Sequence, residues 1–170
     1  MSRGTAKDVA AVVSAAGEII GRTRLQKTVS LLEMAGVGYG FVFDYYKFGP
    51  FSDDLVVSIE RAVDLDYVEE HVRRANWGGI YSKFSTRVHR LTGVQARDEL
   101  IVLARDADAV ALELAVTAGF LAREGVTDPW KEVRARKPEK ADNSHLTKAK
   151  ALYQKFRQVK GIPNPLPEIA

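Results

Sequence analysis

The residues able to do chemistry in this chain are few and scattered. Its three histidines, His71, His89 and His145, stand far apart, and none forms the HExxH spacing that sets two metal ligands on one helical face. There is no cysteine, which removes disulfides, thiolate ligands and a thiol nucleophile together and favours a reducing compartment. Serine and aspartate occur without a GxSxG elbow, a P-loop or a paired-carboxylate signature. Gly36-Val37-Gly38-Tyr39-Gly40 is glycine-rich, but a dinucleotide loop needs a strand before it and a helix after it, so that helix amides meet the pyrophosphate. Here the order is reversed, and the segment reads as a helix C-cap leading into a strand. No catalytic residue, metal or cofactor is expected, and the chain is read as a binding protein rather than an enzyme.

Charge is patterned more clearly than catalysis. Between residues 52 and 72, Asp53, Asp54, Glu60, Asp64, Asp66, Glu69 and Glu70 stand against Arg61 alone. Between 129 and 170, Lys131, Arg134, Arg136, Lys137, Lys140, Lys148, Lys150, Lys155, Arg157 and Lys160 outweigh Glu132, Glu139, Asp142 and Glu168. The basic stretch reads either as a solvated face or a tail docked on the acidic region, or as a nucleic-acid surface. The net charge of +3 permits an anionic partner without requiring one.

The elements that must position these groups follow from periodicity. Val9, Val12, Val13 and Ala16 predict a helix from Thr5 to Gly17, with Thr5 as N-cap. Gly21 allows a turn, and Leu25, Val29 and Leu32 mark the inner face of a second helix ending at Gly36, with Arg22, Arg24 and Lys27 pointing elsewhere. The aromatic run 41–48 reads as a strand stopped by Gly49-Pro50. Ser52 caps a third helix that holds Asp53 and Asp54 in its first turn and buries Leu55, Ile59, Ala62 and Val63. Two strands around Asn76-Trp77-Gly78-Gly79, the second running through Leu91, read as a hairpin.

Helix, helix, strand, helix, hairpin is the order of a winged helix, with the hairpin as the wing. Residues 94–124 predict two helices or one broken one, Asp128-Pro129 opens another, and a last helix starts near Ser144 and ends before Gly161. The fold class expected is α+β, mainly α. A winged-helix-like core spans 1–92, a helical C-terminal extension packed on it spans 93–161, and a Pro-rich tail spans 162–170. Residues 9–20 are apolar but flanked by Asp8 and interrupted by Glu18, so a signal peptide is not read there and a cytoplasmic protein is expected.

The string Gly21-Arg22-Thr23-Arg24-Leu25-Gln26-Lys27, followed by Tyr45-Tyr46-Lys47-Phe48-Gly49-Pro50-Phe51-Ser52-Asp53-Asp54-Leu55, resembles the YwgA-like uncharacterised proteins. It is more distantly similar to the SocA-like, or Panacea, antitoxin domain, whose helix and Tyr-Gly-Pro turn it matches loosely. The antitoxin resemblance implies a module that binds and neutralises a toxin, and it supplies no catalytic residues.

Two functions are therefore weighed. A protein-interaction regulator would use Arg24, Lys27, Phe48, Phe51, Asp53 and Asp54, although the two phenylalanines also read as core anchors. A DNA-binding regulator would use the wing and C-terminal helices through Arg73, Arg74, Lys83, Arg87, Arg90, Arg134 and Lys137. The protein partner, with a toxin as one candidate, is favoured because an acidic third helix would be repelled by the phosphates lining a major groove.

Overall fold

The computed structural model describes residues 2–47 and 49–170, so the position of Phe48 among the expected contacts lies outside the described residues. The described chain is mixed α/β and mainly helical. Its elements run α1 (Ala6–Ala16), β1 (Glu18–Ile20), α2 (Arg22–Met34), β2 (Asp44–Tyr46), β3 (Gly49–Phe51) and α3 (Asp53–Asp64). They continue with β4 (Glu69–Arg74), β5 (Ile80–Ser85), α4 (Gln95–Asp106), α5 (Ala109–Arg123), α6 (Pro129–Arg136) and α7 (Asn143–Gln158).

The helix starts obey local chemistry. Thr5 and Asp8 form a reciprocal capping box on α1. Ser52, Asp108, Asp128 and Asp142 each accept an amide of the first turn of α3, α5, α6 and α7. Pro129 occupies the first turn of α6, where its missing N–H costs nothing.

Two antiparallel sheets form. One has the order β1-β5-β4, with Ile19 opposite Phe84 and Glu70 opposite Phe84 on the other side. The other is the β2–β3 ribbon, which pairs Tyr45 with Pro50. Two strand expectations are corrected, and β1 is a strand where none is expected. Strand β1 lies in the apolar run 9–20 and is too short to show a period of its own. Strand β2 occupies only the end of the expected 41–48 strand, because Phe41 is buried in a loop under Gly4. Gly49-Pro50 forms β3 instead of ending a strand, and Pro50 is tolerated because the ribbon has only two strands.

The hairpin's second strand also ends earlier than expected, at Ser85. Residues 86–90 instead dock on the end of α1, where Ser14 Oγ donates to the Val88 carbonyl at 2.6 Å and accepts the Arg90 amide at 2.9 Å. Leu55, Ile59 and Ala62 are buried on α3 as expected, whereas Val63 is only partly covered.

One continuous apolar core joins all regions. Helix α2 crosses its middle, packed by α4, α5, β1 and β3, and so it buries polar as well as apolar side chains. Gln26 donates to the Ser52 carbonyl at 3.0 Å and accepts the Ser52 amide at 3.0 Å. Arg24, expected to point away, donates to the carbonyls of Ala104 at 2.8 Å and Ala107 at 2.7 Å, satisfying the end of α4. The tail 162–170 is docked too. Leu166 and Ile169 are buried, and Tyr153 donates to the Pro167 carbonyl at 2.6 Å.

Replacing Gln26 by Ala strands the buried amide of Ser52 at the start of α3 and leaves its carbonyl the Val56 amide at 3.3 Å. A loss of about 1–3 kcal/mol in unfolding free energy is expected in urea denaturation; a loss under about 0.5 kcal/mol would mean that the clamp is dispensable.

Candidate binding cleft

The clearest concavity lies where the β4–β5 hairpin overhangs the start of α2. Phe84, fully buried, anchors the root of the hairpin. Beyond that root the same face of the sheet carries Glu70, Val72, Arg74, Ile80 and Ser82, since residues paired across the strands share a face. Glu70 ties the hairpin to α2 by accepting from Arg22 at 2.6 Å and from Ser82 Oγ at 2.5 Å. Further out, Val72 is 62% exposed, Ile80 68% and Trp77, at the tip, 79%. The Trp77 ring lies over Gly79, where any Cβ would collide with it, and Gly78 takes a positive φ of 91° to close the turn.

The cleft so formed has a volume of about 640 Å³. Ile20, Val72, Ile80, Ala109 and Leu112 give it apolar surface, and Arg22, Arg24 and Lys27 give it cationic surface. The first turn of α2 opens into it. Gly21, with φ 98°, supplies no side-chain cap to the amides there.

Lys27, expected to face outward as a partner contact, is instead buried at 3% exposure, and its Nζ donates to the Pro50 carbonyl at 2.7 Å. Burial lowers its pKa to about 8; Glu113 opposes the shift, and Lys137 and Lys140 reinforce it. Gly49 is confined beside it. At φ 101° an added Cβ would lie 2.7 Å from Thr117 Oγ1 and 3.4 Å from Lys27 Nζ.

The other sequence-predicted residues are dispersed. Phe51 is half-buried and stacks edge-on with Tyr46, whose hydroxyl donates to Asp53 at 2.8 Å. Asp53, Glu60 and Asp64 are exposed on α3, and Asp54 is half-buried. Arg73 and Arg74 are exposed on the hairpin, as are Arg87 and Arg90 just beyond it. Lys83 pairs with Glu18 at 3.0 Å and Arg87 with Glu69 at 4.0 Å. Arg134 donates to Asn143 at 2.8 Å.

Lys137, assigned to a nucleic-acid surface, is corrected. It is 3% exposed and faces Glu113 at 3.5 Å, where no phosphate backbone can reach it. Sequence reading missed the cleft itself, because Val72 and Ile80 are singly placed on the hairpin and only the overhang brings them against Ile20, Ala109 and Leu112.

The described chain is thus a mainly helical α+β protein whose small sheet projects a hairpin over a cleft. Over 59 residues it is 34% identical to the uncharacterised protein YwgA of Bacillus subtilis (strain 168), and in this stretch it is YwgA-like. The match covers 35% of this chain and 36% of that protein, about a third of each. No family model and no solved structure matches. Among the described residues, no helix is long and apolar enough to cross a membrane.

The folded state binds Lys27's proton more weakly than the unfolded chain does, so this lysine makes stability rise as pH climbs from about 8 towards its unfolded value. The unfolding free energy of the wild type relative to Lys27→Met should therefore shift in favour of the wild type between pH 7 and 10. Urea titrations at each pH measure it, and a difference independent of pH contradicts the assignment.

Proposed function

We propose that the chain is a cytoplasmic, non-catalytic regulator that binds a protein partner in the cleft under the hairpin, and that residues 1–92 are a winged-helix module. The element order and the β1-β5-β4 sheet, with a hairpin following α3, support the winged-helix reading. The observation that carries the function is the pair of exposed apolar side chains Val72 and Ile80 lining a cleft that also carries Arg22 and Arg24, with Trp77 exposed at the hairpin tip. Aromatic and aliphatic anchors next to a pocket are how protein interfaces concentrate their energy, and the two arginines select a segment mixing apolar and acidic residues. Exposed carboxylates on α3 weigh against that helix entering a DNA groove. The loose resemblance to the SocA-like antitoxin domain makes a toxin one such partner.

A DNA-binding reading is favoured by the exposure of Arg73 and Arg74 on the hairpin, of Arg87 and Arg90 just beyond it, and of Arg134. Tagged purification from the native host, with and without nuclease, separates the two. A stoichiometric protein should survive nuclease with the wild type and be lost by at least tenfold with Trp77→Ala or Ile80→Asp. Co-purification of nucleic acid alone, released by neutralising Arg73 and Arg74, would replace the first reading with the second.

A further inference from the structure

We propose that the chain pairs with a second copy of itself through the outer edge of β4, joining two three-stranded sheets into one. Among the described residues no strand covers that edge, since the sheet order is β1-β5-β4. All of β4 is exposed except Glu70, which is half-buried. The register fixes where its backbone groups point. The Ala75 amide donates to the Gly79 carbonyl, and the Gly21 amide to the Ser82 carbonyl, each at 2.7 Å. Residues of an antiparallel ladder bond to one side and the other alternately. Glu69, His71 and Arg73 therefore bond to β5, and the amides and carbonyls of Glu70, Val72 and Arg74 face the open edge.

Proteins guard such edges with charges that repel an incoming strand. Strand β4 has no such guard against itself. It reads Glu69-Glu70-His71-Val72-Arg73-Arg74, acidic where it starts and basic where it ends, so two copies approaching antiparallel set each acidic end against a basic one. With Val72 on the twofold axis, Glu70 of each copy lies opposite Arg74 of the other, Val72 meets Val72, and His71 stands opposite Arg73. Opposite charges and paired β-branched side chains across strands both favour a ladder. Arg73 and Arg74 join no ion pair among the described residues. Glu70 receives both Arg22 and Ser82 on Oε2, which leaves Oε1 for the incoming guanidinium. The same register carries Trp77, 79% exposed at the hairpin tip, to Leu65 and Tyr67 of the second copy, which are 52% and 39% exposed. Arg74 is not part of the cleft wall, so this pairing does not depend on the protein proposed to bind there.

Sedimentation equilibrium of the full chain tests the pairing. A reversible dimer, at twice the 18.8 kDa of one chain, is expected. Arg74→Glu sets like charges together at both ends and should weaken the dimer at least tenfold. The chain has no cysteine, so mixing His71→Cys with Arg73→Cys under mild oxidation reads the register. Opposed residues that do not bond across a ladder have Cα atoms about 4.5 Å apart, within reach of a disulfide. The mixture should yield a linked pair of the two variants, and neither variant alone should link. A chain that stays monomeric at submillimolar concentration overturns the proposal, as does a dimer that folded Arg74→Glu leaves unchanged. A disulfide formed as readily by His71→Cys alone overturns the register. If Arg74→Glu does not fold, the absence of a link in the mixture overturns the proposal instead. A monomer that still holds another protein under the hairpin defeats this idea alone, and a dimer that holds none defeats the other.

Discussion

A helix enclosed by its neighbours needs partners inside the protein for the polar side chains it carries, and α2, beyond its exposed first turn, finds them for Arg24, Gln26 and Lys27 though not for Ser30 Oγ. Gln26 and Lys27 hold the backbone of Pro50 and Ser52, and Arg24 holds the end of α4. Unpaired polar groups at these depths would each cost about 1–3 kcal/mol, so the ribbon β2–β3, the start of α3 and the end of α4 are all registered against one helix. The Arg24-Leu25-Gln26-Lys27 string and the Gly49-Pro50-Phe51-Ser52 turn, distant in sequence, are the two halves of this lock. The residues that give the chain its YwgA-like appearance thus have structural work, and the surface left for recognition lies beside them.

That surface depends on the same arrangement. With α2 fixed, its uncapped first turn faces the hairpin, and the Arg22–Glu70–Ser82 chain sets how far the hairpin leans over it. The outer half of β4–β5 then has no core to cover. Its apolar side chains remain exposed, while Phe84 at the root is fully buried. A fold that spends Phe84 on anchoring and leaves Val72, Ile80 and Trp77 uncovered has a stable base and an open end, as a docking arm requires.

Much of the fold was legible in the residues. The caps at Thr5, Ser52 and Asp128, the stripe Leu25-Val29-Leu32 and the hairpin around Asn76–Gly79 each follow from local chemistry that tertiary packing did not override. Short strands and buried polar groups were not legible. A three-residue strand such as β1 shows no period, and Lys27 looks solvent-facing until α5 and β3 close over it. Lys137 misled for the same reason: in a basic stretch it reads as surface, yet Glu113, placed within a largely apolar helix, draws it inward. The acidity of α3 was legible and its exposed carboxylates remain so, but the cleft arises from elements far apart in the chain and left no signature in either.

The central claim is that recognition takes place under the hairpin by contact with protein. Site-specific photo-crosslinking in the native host, with the probe placed at Ile80 in the cleft and separately at Val57 on the exposed face of α3, tests it most directly. The account predicts a discrete, nuclease-resistant protein adduct from Ile80 and none from Val57. Adducts to nucleic acid from Ile80, or a protein adduct from Val57 alone, would contradict it.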